Sequence, residues 1–121
     1  MIEVEETIYD NGTISYYIKG TRILHREDGP AIIYSNGTKK WYLNGKYHRE
    51  DGPAIEFANG SKSWWAYGIL HRMDGPAVIN SNGKIFWYLN GEMLRDKEEW
   101  FERLSEDQKL ELLYSNYFIE S

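Results

Sequence analysis

The chain has 121 residues, no cysteine, a formal net charge of −5 at pH 7 and an aromatic content of 16%. This length suits one domain with a modest core, and the lack of cysteine excludes disulfides and thiolate metal sites as the basis of the fold. Residues 96–121 hold eight acids and three bases and so carry the whole net charge, and the absence of a basic stripe argues against a nucleic-acid-binding protein.

Two features of the sequence bear on where the protein works. The longest apolar runs, such as residues 86–89, are far shorter than the roughly 20 residues that span a bilayer. The first twelve residues have acids where a signal peptide has bases followed by an apolar stretch. We therefore expect a soluble cytoplasmic protein.

A repeat of 23 residues organises most of the chain. His25, His48 and His71 are 23 residues apart, and the Asn-Gly pairs at 36–37, 59–60 and 82–83 keep the same step. A first, divergent copy has its Asn-Gly pair at 11–12 and is two residues longer. Four copies cover residues 6–95, so we predict a repeat sheet over 1–95 and a different structure over 96–121.

Each copy is predicted to form a β-hairpin. A run of β-forming residues meets Asn-Gly, which favours the two positive φ angles of a type I′ turn, and a second such run follows. The predicted fold class is mainly β: an antiparallel meander of repeated β-hairpins, about eight strands in all, with two short C-terminal α-helices. The sequence does not decide whether residues 46–48 form a third strand in their copy.

Stacked copies would align aromatic side chains in two columns. Side chains alternate between the two faces along a strand, so neighbouring aromatic positions belong to opposite faces. One column consists of Tyr16, Trp41, Trp64 and Trp87, and the other of Tyr17, Tyr42, Trp65 and Tyr88. One of the two faces needs a cover, and the tail is the candidate.

The tail, residues 96–121, is predicted to form two helices that pack on the last hairpins. Asp96 with Glu99, and Ser105 with Gln108, have the spacing of capping boxes. Apolar residues at helical spacing form a first stripe of Trp100, Phe101 and Leu104 and a second stripe of Leu110, Leu113, Tyr114, Tyr117 and Phe118. Such stripes usually face a core, so we expect both to be buried.

The sequence HREDGP at 25–30 and 48–53, with HRMDGP at 71–76, has three interpretations. It could be a histidine catalytic or metal site, a contact with a ligand or partner, or a repeated corner of the fold. Imidazoles two strands apart are about 10 Å apart and cannot share one ion held at about 2 Å. Asp-Gly-Pro is turn chemistry, and we expect each arginine to bond an aspartate of the adjacent copy. We favour the corner and expect no enzyme activity, metal or cofactor.

The unit WYLNGKYHREDGPAIEFANGSKSWW resembles the MORN-type repeats of bacterial and phage proteins, which build sheets of β-hairpins. The resemblance covers residues 6–95, and the pattern departs from those repeats where Arg-x-Asp-Gly-Pro replaces a tight Gly-x-Gly segment. It implies a scaffold for protein or lipid contact. The small size, acidic character and helical tail also resemble phage-encoded anti-defence inhibitors of Bacillus prophages, which bind a Sir2-domain NAD-degrading defence protein in the host cytoplasm.

The leading hypothesis is therefore a non-enzymatic inhibitor that binds a larger host defence protein. Its predicted partner-binding residues are Tyr17, Tyr42, Trp65 and Tyr88, because tyrosine and tryptophan dominate the energetics of protein interfaces. The alternatives are a membrane-surface, lipid-binding or scaffold module and, third, a hydrolase or metal protein that uses the histidines. Stacking on nucleobases is disfavoured because the column lacks basic neighbours.

Overall fold

The computed structural model describes residues 2–120, and the side chains of residues 2–115. Within this part the elements are β1 (Val4–Ile8), β2 (Ile14–Ile18), β3 (Ile32–Ile33), β4 (Lys39–Lys40), β5 (Tyr42–Leu43), β6 (Lys46–Tyr47), β7 (Ile55–Glu56), β8 (Lys62–Ser63), β9 (Trp65–Ala66), β10 (Ile69–Leu70), β11 (Val78–Ile79), β12 (Ile85–Leu89), β13 (Glu92–Leu94), α1 (Lys97–Arg103) and α2 (Glu106–Glu120). Nine strands form one antiparallel sheet in the order β1-β2-β3-β4-β7-β8-β11-β12-β13. The predicted fold class, a mainly β antiparallel meander with two C-terminal helices, is confirmed.

The described residues form more strands than the eight predicted, for two reasons. The second half of each middle copy is divided between two ladders, and a third strand follows it. β4 belongs to the large sheet, whereas β5 pairs with β6 in a small separate hairpin. Trp41 lies at the division, where its N–H donates to the carbonyl of Ala54 in the next copy at 2.7 Å. The third strand that the sequence left undecided is therefore present as β6, and again as β10 and β13.

The turns are of two kinds, although both carry Asn-Gly. Asn44 and Gly45 both have positive φ, 49° and 78°, as the predicted type I′ turn requires. At Asn36-Gly37 only the glycine has positive φ, and the glycine N–H donates to the carbonyl of Tyr34 at 2.9 Å. The type I′ prediction is wrong here because the asparagine side chain accepts a hydrogen bond from the Thr38 N–H at 2.9 Å, which favours a type I turn followed by a glycine bulge.

Hydroxyl groups and small side chains hold neighbouring copies together. The hydroxyls of Thr13, Thr38 and Ser61 accept hydrogen bonds from N–H groups of the following copy, at 3.2, 3.0 and 2.9 Å respectively. The alanine that follows each Pro, at positions 31, 54 and 77, is 0% exposed. The copies therefore approach closely at positions where a larger side chain has no room.

Helix α1 packs on the last hairpin, β12 and β13. Trp100 and Leu104 form a buried cluster with Leu89 and Leu94 of that hairpin. Asp96 caps the helix by accepting a hydrogen bond from the Glu99 N–H at 2.9 Å. In a capping box the Glu99 carboxylate would accept a hydrogen bond from the Asp96 N–H. Here it accepts from the N–H of Arg95 instead, at 2.8 Å.

Helix α2 is less buried than the sequence predicts. Its N-terminus is capped as expected, because the Gln108 N–H donates to the Ser105 hydroxyl at 3.2 Å. Of its apolar side chains, Leu112 packs against the buried cluster, whereas Leu110, Leu113 and Tyr114 are exposed. The expectation that this stripe is core is wrong for those three residues, because α2 turns another of its sides, the one that carries Leu112, toward the buried cluster. Tyr117 and Phe118 lie outside the described side chains.

No helix within residues 2–120 is both long enough and apolar enough to cross a membrane.

Candidate protein-binding surface

The histidine of each HREDGP-type sequence, here called a corner motif, ties its copy to the next one. Nδ1 of His25, His48 and His71 accepts a hydrogen bond from the main-chain N–H of Asn44, Tyr67 and Asn90, at 2.9, 3.1 and 2.9 Å respectively. A neutral imidazole that accepts at Nδ1 carries its proton on Nε2. Nε2 then has no lone pair for a metal ion or for taking a proton, so the geometry does not suit the catalytic and metal hypotheses.

The arginine of each corner motif covers an aromatic ring. The guanidinium carbons of Arg26, Arg49 and Arg72 lie over the rings of Tyr16, Trp41 and Trp64, at 4.0, 3.9 and 3.8 Å from the ring centroids. Nε of Arg49 donates to Asp51 of the same motif at 3.0 Å. The expectation that each corner arginine bonds an aspartate of the adjacent copy is therefore wrong. The turn folds back over the guanidinium so closely that a Cβ on Gly52 would lie 2.9 Å from the Arg49 Cζ.

The column of Tyr16, Trp41, Trp64 and Trp87 thus has a side chain packed against each ring, and the four rings are half-buried. Its last ring, Trp87, contacts no corner arginine but packs against Trp100 of α1, with ring centroids 4.7 Å apart. The Trp100 indole N–H donates to the carbonyl of Arg72 at 2.9 Å. Arg95, which aligns with the corner arginines, turns instead to Asp96 at 3.2 Å. On Trp87, the indole of Trp100 thus takes the place that the corner arginines take on the other three rings.

The structure brings two of the four predicted partner-binding residues together. Tyr47 lies between Tyr42 and Trp65, with ring centroids 4.6 and 5.1 Å away. We call these three half-buried side chains the aromatic patch. The indole N–H of Trp65 donates to the Ser63 hydroxyl at 2.8 Å, which fixes the ring. Sequence reasoning missed Tyr47 because it left the strand that carries this residue undecided.

The other two predicted residues lie apart from the aromatic patch. The Tyr17 hydroxyl is 2.7 Å from the Tyr9 hydroxyl, and Arg22 lies over the Tyr17 ring at 5.1 Å. Tyr88 is half-buried in β12, and its carbonyl accepts a hydrogen bond from the Arg72 N–H at 3.3 Å. The column therefore divides into separate groups and does not form one uniform ladder.

The aromatic patch combines neutral hydroxyl groups with one cation. Burial, followed by a hydrogen bond with Tyr47, raises the pKa of Tyr42 well above its usual value, so its hydroxyl stays protonated at neutral pH. Nζ of Lys40 lies 5.2 Å from the ring centroid of Tyr34 and 5.9 Å from that of Tyr47. Such a surface can contact apolar groups and also hydrogen-bond to a partner's main chain.

One corner histidine should make stability depend on pH. Burial lowers the pKa of His71, and protonation of its Nδ1 would break the bond from the Asn90 N–H. The unfolded chain binds that proton more readily than the folded chain. The stability that neutral His71 contributes is therefore complete above about pH 6.5 and is lost as the pH falls below this value. We expect His71→Asn, whose Oδ1 can accept the same bond, to lose less stability than the unaltered protein between pH 7 and 5 in urea titrations. Parallel pH profiles for the two proteins would contradict this.

The fold and this surface define a class: an array of β-hairpin repeats closed by a helical cap, with side chains packed against the rings of one aromatic column and a cluster of three rings on the other side. No protein-family model matches the chain, and neither a curated protein nor a solved structure is significantly similar to it. The resemblance to MORN-type repeats and to phage inhibitors therefore stays a prediction.

Proposed function

We propose that this protein is a non-enzymatic binding module that inactivates a larger protein by occupying part of its surface. The observation that carries the proposal is the aromatic patch, in which Tyr47 contacts both Tyr42 and Trp65 and all three side chains are half-buried. Tyrosine and tryptophan in such settings contribute most of the binding energy of protein interfaces. Each ring of the opposite column already has an arginine or Trp100 packed against it, and for this reason we assign the partner contact to the patch.

The target we propose is a Sir2-domain NAD-degrading defence enzyme, which a phage-encoded inhibitor would meet in the host cytoplasm. The support for this target is the resemblance of the chain's size, acidity and helical tail to anti-defence inhibitors. The support for a binding function is the geometry of the aromatic patch. The two parts can be tested separately, since binding and loss of NAD degradation are different measurements.

The geometry of the corner motifs supports a role without catalysis. Their arginines are held by aromatic rings, aspartates and proline carbonyls: Nη1 of Arg49 donates to the Pro53 carbonyl at 3.1 Å and to Glu56 at 3.2 Å. Their histidines are held by main-chain N–H groups of the next copy. Residues committed to folding in this way are poor candidates for a reaction that needs a free acid, base or nucleophile.

Trp65→Ala should weaken binding to the purified enzyme by about 2 kcal/mol or more, because it removes the largest ring of the patch. Isothermal titration calorimetry measures the affinity, and NAD consumption measures the inhibition. Tyr17→Ala is the matched control, since Tyr17 occupies the equivalent position in another copy but lies outside the patch. We expect this control to bind like the unaltered protein.

Two results would change this proposal. An equal loss with Tyr17→Ala would show that the interface extends along the whole column. If the unaltered protein fails to bind the enzyme but co-sediments with vesicles of anionic lipid, the membrane-surface alternative gains the support instead.

A further inference from the structure

Helix α2 presents an apolar stripe to solvent. Leu110, Leu113 and Tyr114 are 63%, 57% and 65% exposed, and their spacing of three and four residues places them on one side of the helix. Leu112 is the residue of α2 that packs against the buried cluster. A helix of 15 residues is marginally stable on its own, and an apolar stripe of this kind is usually covered.

The borders of this stripe are acidic. Glu106, Asp107 and Glu111 are exposed beside the stripe. Nζ of Lys109 lies 3.5 Å from Glu106 and 4.0 Å from Glu102, so this single lysine leaves Asp107 and Glu111 without a basic partner in the described part of the tail, and the border keeps a net negative charge. The stripe therefore fits a partner whose apolar surface is bordered by bases.

The stripe also borders a cleft that the second and third corner motifs line. This cleft has a volume of about 400 Å³, and its lining includes Arg49, Arg72 and Trp64 together with Gln108 and Glu111 of α2. Glu111 also borders a shallow depression formed by Leu110, Leu113 and Tyr114. A partner seated on the apolar side of α2 can thus reach this cleft at Glu111.

We infer that the Leu110, Leu113 and Tyr114 stripe is a second docking element, which inserts into an apolar groove bordered by lysine or arginine side chains on the partner. This inference rests on the proposed function, because it assigns the helix to the same partner as the aromatic patch. Insertion of an amphipathic helix into a groove uses anchors at the spacing seen here. A second copy of this chain is a poor occupant, since two stripes face to face would bring like charges together.

The test compares two variants for binding to the purified Sir2-domain enzyme. Leu110→Ala with Leu113→Ala removes the anchors and keeps the helix, because alanine has the highest helix propensity, and circular dichroism checks this. Ile8→Ala is the control: Ile8 is equally exposed, at 65%, on β1 at the opposite edge of the sheet. We expect the double variant to bind about 10-fold more weakly or worse and the control to bind normally.

A second measurement tests the charge of the partner groove. Raising the salt concentration should weaken binding of the unaltered protein, and Glu106→Gln with Glu111→Gln should reduce this dependence. Binding that is independent of salt in both proteins would contradict the proposal that lysine or arginine side chains border the partner's groove.

Three further results would overturn the inference. Normal binding by the double variant would remove α2 from the interface and leave the proposed function standing. Failure of the unaltered protein to bind would remove the proposed function and the inference together. A dimer in light scattering that becomes a monomer in the double variant would show that a second copy covers the stripe.

Discussion

Trp100→Ala should destabilise the protein by about 4 kcal/mol, the typical loss for truncating a fully buried aromatic side chain. Trp100 is 2% exposed, its ring packs on Trp87, and its N–H is bonded to the Arg72 carbonyl. The substitution leaves a cavity, an unpaired carbonyl and an uncovered Trp87 ring. Urea denaturation followed by circular dichroism measures the change in the free energy of unfolding.

Two comparisons separate the contributions of Trp100. Trp100→Phe keeps an aromatic ring over Trp87 and loses the hydrogen bond, so we expect a loss of about 1–2 kcal/mol. Hydrogen exchange should show the largest increase in β12 and β13, because copies in a repeat array are stabilised mainly by their neighbours. A loss below about 1 kcal/mol for Trp100→Ala would mean that the tail does not stabilise the array.

Arg49→Ala should cost about 3 kcal/mol, because it removes a partly buried cation from an aromatic face together with several charge-assisted hydrogen bonds. Its guanidinium lies over Trp41 at 3.9 Å and donates to Asp51, to the Pro53 carbonyl and to Glu56. The same urea titration gives the value. Without this side chain, the second corner loses the group around which its turn folds.

The chain contains a matched control for this substitution. Arg95 occupies the equivalent position in the fourth copy, is 77% exposed and bonds Asp96, so Arg95→Ala should leave the free energy of unfolding nearly unchanged. Arg49→Lys keeps the charge but loses the planar group that matches both ring and carbonyl, and we expect about half the loss of Arg49→Ala. Equal effects of Arg49→Ala and Arg95→Ala would contradict the role assigned to the corner arginines.

Much of the fold follows from features that repeat in the sequence. The spacing of His25, His48 and His71 predicts stacked copies, and the alternation of residues around Trp41 and Tyr42 predicts two aromatic columns. The antiparallel meander of hairpins is confirmed, because strand periodicity and hairpin formation depend on neighbouring residues. The caps of both helices were predictable for the same reason, as each depends on residues three apart.

The remaining features depend on contacts between residues distant in sequence or on competition between local bonds. At Asn36, the hydrogen bond that the side chain accepts from the Thr38 N–H outweighs the type I′ preference of Asn-Gly. Tyr47 reaches Trp65 because β5 and β6 form their own small hairpin. The exposure of Leu110 depends on which side of α2 meets the buried cluster, and the helical spacing of α2 does not carry that information.

The bonds between copies have a consequence for how such a chain can evolve. Each corner histidine accepts the same main-chain bond from the next copy, and the hydroxyl oxygens of Thr13, Thr38 and Ser61 each accept a main-chain N–H bond from the next copy. The junctions are therefore interchangeable, and Trp100 closes the array by contacts with the last copy and the corner before it. Duplication or loss of one 23-residue segment would lengthen or shorten the array by one copy and leave both ends intact.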